Sequence, residues 1–325
     1  MARTRYAPDR GLTARMTLTM FLLGLVFVAF ITILVLVLSA TGRVSGGAII
    51  FFAVLLGLVL GVGSLFYSDK IALSTSGAQL VTPQDGPQAA RLHGIVDRLC
   101  ALANMPKPRV AIAPSPMLNA FATGRNEKSA VLVVTTGLLN NPDLNDSELE
   151  AVLAHELSHV AHKDVVVMTI ASFIGIIAGL LVRFAFYSEL FGGGGRGRGG
   201  NNNNGGALPV IFIVLLVGMV TYAISFLLIR LLSRYRELAA DRSGALLTGQ
   251  PSALASALQK VSGSMSRIPT KDLRSAEPLN AFYFVPAFKA GGKEVSLNSI
   301  FSTHPSLERR LRQLAEISEQ LSKQG

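Results

Sequence analysis

Residues 151–164 read AVLAHELSHVAHKD and place His155, Glu156, His159 and His162 in a stretch of helical character, directly before a long apolar run. On a helix, His155 and His159 lie four residues apart and project from one face, so both imidazoles can close on one ion with Glu156 beside them. This H-E-x-x-H spacing suits zinc chemistry. Neutral imidazoles hold the ion, the ion acidifies a water, and the carboxylate accepts its proton. A helix that is merely rich in histidine shows the same five residues, so the spacing alone leaves both readings standing.

A catalytic zinc needs a third protein ligand and an open position. His162 is nearest in sequence, but it lies a turn beyond His159, out of reach of an ion held between 155 and 159, and reads as a helix-surface histidine. The longer metzincin pattern fails because its glycine is missing. The alternative is Glu237 in RYRELAADRSGALL, with Asp241 four residues on. At that spacing the glutamate can bind metal while the aspartate orients a histidine. Taken alone, helix charge pairing with Arg234, Arg236 and Arg242 explains these acids more simply. In FSTHPSLERRLRQLAEI, Pro305 fits the first turn of a helix and His304 sits just before it. His304 could donate to a developing oxyanion with Arg310 assisting, or cap a helix beside a solvent-facing arginine.

The elements that must bring these residues together are embedded in a greasy chain. Half of the 325 residues are hydrophobic, 15% are charged, and the mean hydropathy is +0.45. That composition points to a lipid bilayer. The net charge of +10 is not gathered into an aromatic-interleaved patch, so no nucleic-acid partner is expected. The single Cys100 excludes an intrachain disulfide and any multi-cysteine zinc site.

Four runs, 16–38, 46–66, 165–182 and 208–229, are long enough to cross a hydrocarbon core. Arg3, Arg5, Arg10 and Arg15 precede the first, which reads as a retained anchor and sets the N-terminus on the cytoplasmic side. The expected organisation is a tail and first membrane hairpin over 1–68, and the first part of a water-soluble unit over 69–164. A second hairpin over 165–232 and the rest of the soluble unit over 233–325 complete it. Two crossings between His159 and Glu237 would return the glutamate to the side of the histidines. The Gly/Asn-rich connector 191–206, FGGGGRGRGGNNNNGG, is too polar and flexible to pack a core. In the soluble part, 86–104 has helical spacing and is ended by Pro106 and Pro108. Segments 109–113, 119–123 and 130–135 read as short strands. Asn145 and Ser147 offer caps for the histidine helix, with Glu150 completing a capping box from Ser147.

HELSH followed at distance by ELAAD, NAFATG upstream, THPSLERR downstream and the flanking hairpins together resemble the HtpX-type membrane zinc metalloproteases, relatives of the CAAX prenyl endoproteases. The resemblance covers nearly the whole chain. It implies a mainly α membrane protein carrying a zincin-like α+β metallopeptidase domain with a small β-sheet and four transmembrane helices in two hairpins. It implies one Zn2+ on His155, His159 and Glu237, with Glu156 as base and Asp241 behind the ligands. It further implies that His304 and Arg310 stabilise the tetrahedral intermediate, and that Asn119 and Ala120 lie on an edge strand that pairs with an extended substrate. The implied activity is cleavage of unfolded or misfolded membrane proteins at the cytoplasmic face of the cell membrane, in quality control and stress response, beside an ATP-dependent membrane protease. No P-loop is present, so cleavage should need no ATP motor of its own. The rival readings are a prenyl-protein endoprotease and a membrane scaffold of little turnover. The first has more membrane segments, and the second would often lose Glu156. The long Gly/Asn connector departs from the family pattern.

Overall fold

In the computed structural model the described residues are 10–41, 65–192, 207–265 and 304–323, with scattered positions between 51 and 63. The elements run α1 (Arg10–Thr41), α2 (Ser68–Ser76), β1 (Gln79–Leu80), α3 (Pro87–Ala103), β2 (Arg109–Ala113), β3 (Ala120–Thr123), a 3-10 turn (Glu127–Ser129) and β4 (Val131–Thr135). They continue with α4 (Thr136–Leu139), α5 (Asp146–Ala161), α6 (Asp164–Gly192), α7 (Ala207–Thr248), α8 (Pro251–Met265) and α9 (Leu307–Ser322). The chain divides into two units. One comprises Met1–Met16, Leu65–Val167 and Ser233–Gly325; the other comprises Thr17–Ser64 and Met168–Leu232.

The second unit is apolar. Phe30 and Leu34 of α1, Ile177 and Ala178 of α6, and Val214 of α7 form its buried cluster. Among the described residues two helices are long and apolar enough to span a membrane, Arg10–Val37 and Phe212–Thr248, and a third candidate arises only if α5 and α6, bent by 56°, count as one span. Four spans are therefore not confirmed. The expected run 46–66 lies mostly outside the described residues, and so does the connector 193–206. We read α5 as part of the first unit, because it is capped by polar groups and packed among that unit's elements.

In the first unit the sheet has the order β1-β2-β4-β3. β2 and β4 run parallel, with Val110 opposite Leu132, while β3 pairs antiparallel to β4 with Phe121 opposite Val133. The sheet is sandwiched, so β4 is buried along its whole length. Val131 and Val133 face a cluster with Ala72 of α2, and Leu132 and Val134 face the main core of α3, α5, α8 and α9. This is the two-residue period of a strand covered on both faces. β2, β3 and β4 occupy the expected strand segments, and the short β1 adds a fourth strand that the sequence reading did not anticipate.

The start of α5 corrects the expected cap. Asn145 is the N-cap, its Oδ1 accepting from the Glu148 N–H at 2.9 Å, while Glu148 Oε2 accepts from the Asn145 N–H at 2.9 Å. Asn145 holds the extended backbone that a cap requires (φ −85°, ψ 171°), which leaves Ser147 inside the first turn. Glu150 is thereby released to take a forked ion pair from Arg98 on α3. Glu148 Oε1 also accepts from Ser256 at 2.6 Å and Lys260 at 2.5 Å, so one buried carboxylate joins the start of α5 to α8. At the other end of the chain Ser306, accepting from Arg309 N–H, is the cap of α9, and Pro305 lies one residue outside the helix.

α7 runs without interruption from its apolar part through Glu237 and Asp241. Its approach to α5 is set by Gly244, where a Cβ would lie 2.9 Å from the His155 nitrogen and 3.1 Å from its Cα. Only a residue without a side chain allows the two backbones so close. Gly244→Ala is expected to force the helices apart and destabilise the unit by about 1–3 kcal/mol, read as a lowered thermal midpoint of the detergent-solubilised chain. Glu148→Ala removes the glutamate half of the capping box and the acceptor shared by Ser256 and Lys260, for an expected loss of about 1–2 kcal/mol at neutral pH. Burial opposes the charge on Glu148, but Lys260, Ser256 and the Asn145 N–H outweigh it and hold the carboxyl below its usual value. The gap between wild type and variant should be full above about pH 4.3 and close as the pH falls through that lowered value; thermal scans across pH 3–7 check it.

Candidate metal centre

α5 supplies His155, Glu156 and His159; α7 supplies Glu237 and Asp241; α9 supplies Arg310, and His304 lies just ahead of its cap. All belong to the first unit. The four-residue spacing on α5 turns both imidazoles the same way, and their Nε2 atoms lie 3.3 Å apart. Glu237 completes a triangle, with Oε2 3.7 Å from His155 Nε2 and Oε1 3.5 Å from His159 Nε2. His155 and Glu237 are buried, while the His159 side chain keeps 12% of its surface exposed, which leaves one side of the cluster reachable.

The far nitrogen of each imidazole is engaged by an aspartate. His155 Nδ1 lies 2.9 Å from Asp241 Oδ1, and His159 Nδ1 lies 2.5 Å from Asp164 Oδ2. Both aspartates are held by arginine. Arg310 donates to Asp241 through Nε and one terminal nitrogen, each at 2.7 Å, and Arg236 Nε pairs with the second Asp164 oxygen at 3.0 Å. When each Nδ1 donates to its carboxylate, each Nε2 presents a lone pair to the centre. Two lone pairs and a carboxylate then converge with no donor among them, an arrangement that suits a cation. A tetrahedral zinc at about 2.0–2.1 Å from its ligands sets them about 3.3–3.4 Å apart, close to the three separations here. The residues fit the metal.

The acids around the cluster attract positive charge. Burial lowers the His155 pKa, yet Asp241 and Glu237 more than offset it and push it up to about 9, so a cation bound here would have to displace a proton from that imidazole. Burial opposes ionisation of Glu237, but His304, His155 and His159 hold it well below the ordinary range, in the charged form that a ligand needs. Burial likewise opposes the charge on Asp241, and the Arg310 fork outweighs it. Glu156 differs: burial pushes its carboxyl up, His155 and His159 pull it back, and Glu237 adds to the rise. A carboxyl so placed is readier to take a proton than one in water.

His304 Nδ1 lies 3.0 Å from Glu237 Oε2. Arg310, buried against Asp241, directs two of its donors at that carboxylate, a geometry that positions His155 through Asp241. His162 ends α5 as its C-cap and is not one of the clustered ligands. Asn119 and Ala120 are buried at the start of β3, the terminal strand of the sheet among the described residues. There the Asn119 carbonyl accepts from the Thr135 N–H at 3.0 Å and its hydroxyl at 2.8 Å. Sequence reasoning missed Asp164, Arg236 and Gly244. Asp164 stands five residues after His159, off the helical face, and comes back only because Lys163 takes a left-handed φ of 56° between α5 and α6.

The chain matches peptidase family M48 over residues 87–318. It is 53% identical over 319 residues to Protease HtpX homolog 1 of Streptomyces coelicolor, covering 98% of this chain and 97% of that one. It is 48% identical over 320 residues to the Protease HtpX homolog of Moorella thermoacetica, covering 98% of each. The crystal structure of S. mikatae Ste24p shares the fold at a TM-score of 0.53 and 18% identity, over 92% of this chain and 64% of that one. The family model covers most of the chain and these relatives almost all of it, in a chain with helices that suit a membrane, and the chain belongs to the HtpX-type membrane metalloproteases of peptidase family M48.

Proposed function

We propose that the chain is a zinc-dependent endopeptidase of the cell membrane that cuts misfolded or damaged membrane proteins on the cytoplasmic side, without its own ATP motor. The observation that carries the chemistry is the convergence of His155 Nε2, His159 Nε2 and the Glu237 carboxylate within 3.3–3.7 Å, with Glu156 on the same helical turn. The chemistry that a bound zinc supplies is polarisation of a peptide carbonyl and acidification of a water. Glu156 accepts the proton of the attacking water and returns it to the leaving amine, a role its buried, upshifted carboxyl favours. His304, beside Glu237, is positioned to donate toward the developing oxyanion, and Arg310 keeps His155 in register through Asp241.

Substrate binding in this reading uses β3. In this reading an extended chain lies along β3, the terminal strand of the sheet among the described residues, and main-chain hydrogen bonds accept many side chains. Asn119 and Ala120 open that strand. Such a site takes segments that are already unfolded, the state in which damaged membrane proteins expose their loops. An ATP-dependent membrane protease working on the same substrates is the partner that this division of labour calls for.

Metal content and cleavage, measured together on the purified full chain, test the assignment. Wild type should hold one zinc and cut casein or an unfolded membrane protein. Glu156→Gln should keep the zinc and lose at least about 100-fold in rate, and Glu237→Ala should lose both. Unchanged zinc in Glu237→Ala would remove it from the ligand set, and cleavage surviving in Glu156→Gln would move the activity elsewhere. Preference for a prenylated peptide over the unfolded protein would shift the substrate class to lipidated C-termini.

A further inference from the structure

The two histidines are supported asymmetrically. The aspartate behind His155 lies on α7, one turn past Glu237, where helical spacing alone delivers it. The aspartate behind His159 requires a break in the chain. α5 ends at His162, whose N–H reaches Ser158 O at 2.9 Å; Lys163 then adopts its left-handed conformation, and Asp164 opens α6 with its side chain turned back to His159 Nδ1. A non-glycine residue in that conformation costs about 1–2 kcal/mol. The surrounding fold sustains that cost and buries Asp164 to 2% exposure. The second Asp164 oxygen meets Arg236, the residue immediately before Glu237.

One ion pair therefore connects the residue that holds His159 to the turn of α7 that carries the third ligand. Its partners open α6 and lie on α7, at the ends of these helices that belong to the same unit as the histidines. On the reading of the site as a zinc site, we infer that Asp164, locked by Arg236, is a positioning residue for the metal centre. It fixes the His159 ring with Nε2 toward His155 and Glu237, and sets the spacing between the α5 and α7 ligands. Asp241 with Arg310 does the same for His155, and the two aspartate–arginine pairs act from opposite ends of the H-E-x-x-H turn.

Zinc retention tests this apart from catalysis. The full-length protein in detergent is loaded with zinc and titrated with a chelator for wild type, Asp164→Asn, Asp164→Ala, Arg236→Lys and His159→Ala, and the visible spectrum is recorded for each after cobalt substitution. The zinc-free proteins are melted alongside. Asp164→Ala should hold zinc about 10–100-fold more weakly with an altered cobalt spectrum, Asp164→Asn should fall between it and wild type, and Arg236→Lys, which keeps the charge, should recover most of the affinity. Zinc affinity and cobalt spectrum unchanged in both Asp164 variants would overturn the inference, as would a loss confined to the zinc-free melting point, which marks a purely structural pair. Failure of the zinc reading itself has a separate signature: wild type and His159→Ala would then give the same chelator curve.

Discussion

An imidazole can give a metal only the nitrogen that its surroundings leave free, and the rest of this site depends on that constraint. Carboxylates at both Nδ1 atoms turn both Nε2 lone pairs to one point. A buried carboxylate keeps its charge only with a partner, and Arg310 and Arg236 are those partners. Each link sits away from water, where such interactions are strong and their loss is costly. The ligands are thus fixed by a chain of groups that runs from α5 outward to α6, α7 and α9.

The fold serves that chain. The Asn145–Glu148 box starts α5 at a defined residue, and Glu148 binds that start to α8 through Lys260 and Ser256. Gly244 lets α7 lie backbone against backbone at His155, which places Asp241 and Glu237, three and seven residues earlier on the same helix, over the histidine face. A residue of any size at 244 would move both acids at once. The sheet joins the same packing, because β3 and β4 share their core with α5.

What was legible in the sequence is what helical or strand spacing encodes. His155, Glu156 and His159 declare themselves within one turn, Glu237 and Asp241 within another, and the three expected strands occupy their segments. The contacts that complete the site are of another kind. Arg310 reaches Asp241 across 69 residues, and His304 reaches Glu237 across 67, so only the tertiary fold or a family resemblance could pair them. Asp164 was hidden because a left-handed residue, not a periodic face, returns it to His159. The cap was misplaced because Asn145–Glu148 and Ser147–Glu150 satisfy the same pattern two residues apart, and the second acid was needed by Arg98. Hydropathy counted four runs, whereas among the described residues two helices are long and apolar enough to span, one of which continues past its apolar part into the site.

The choice of a carboxylate as third ligand follows from charge. With both imidazoles neutral, as metal ligands must be, Glu156, Glu237, Asp241 and Asp164 carry four formal negative charges against the two positive ones of Arg310 and Arg236 in this cluster. Two charges of one sign in excess are expensive to keep from water, and a divalent cation balances them. A histidine in place of Glu237 would leave the cation one charge over. It would also remove the acceptor that faces His304. The two arginines offset only the two aspartates that steer the imidazoles, so the remaining pair of glutamates, ligand and base, matches the charge of one metal ion. On the zinc reading this charge balance favours the carboxylate Glu237, brought by α7, over a third neutral imidazole such as His162 at the end of α5.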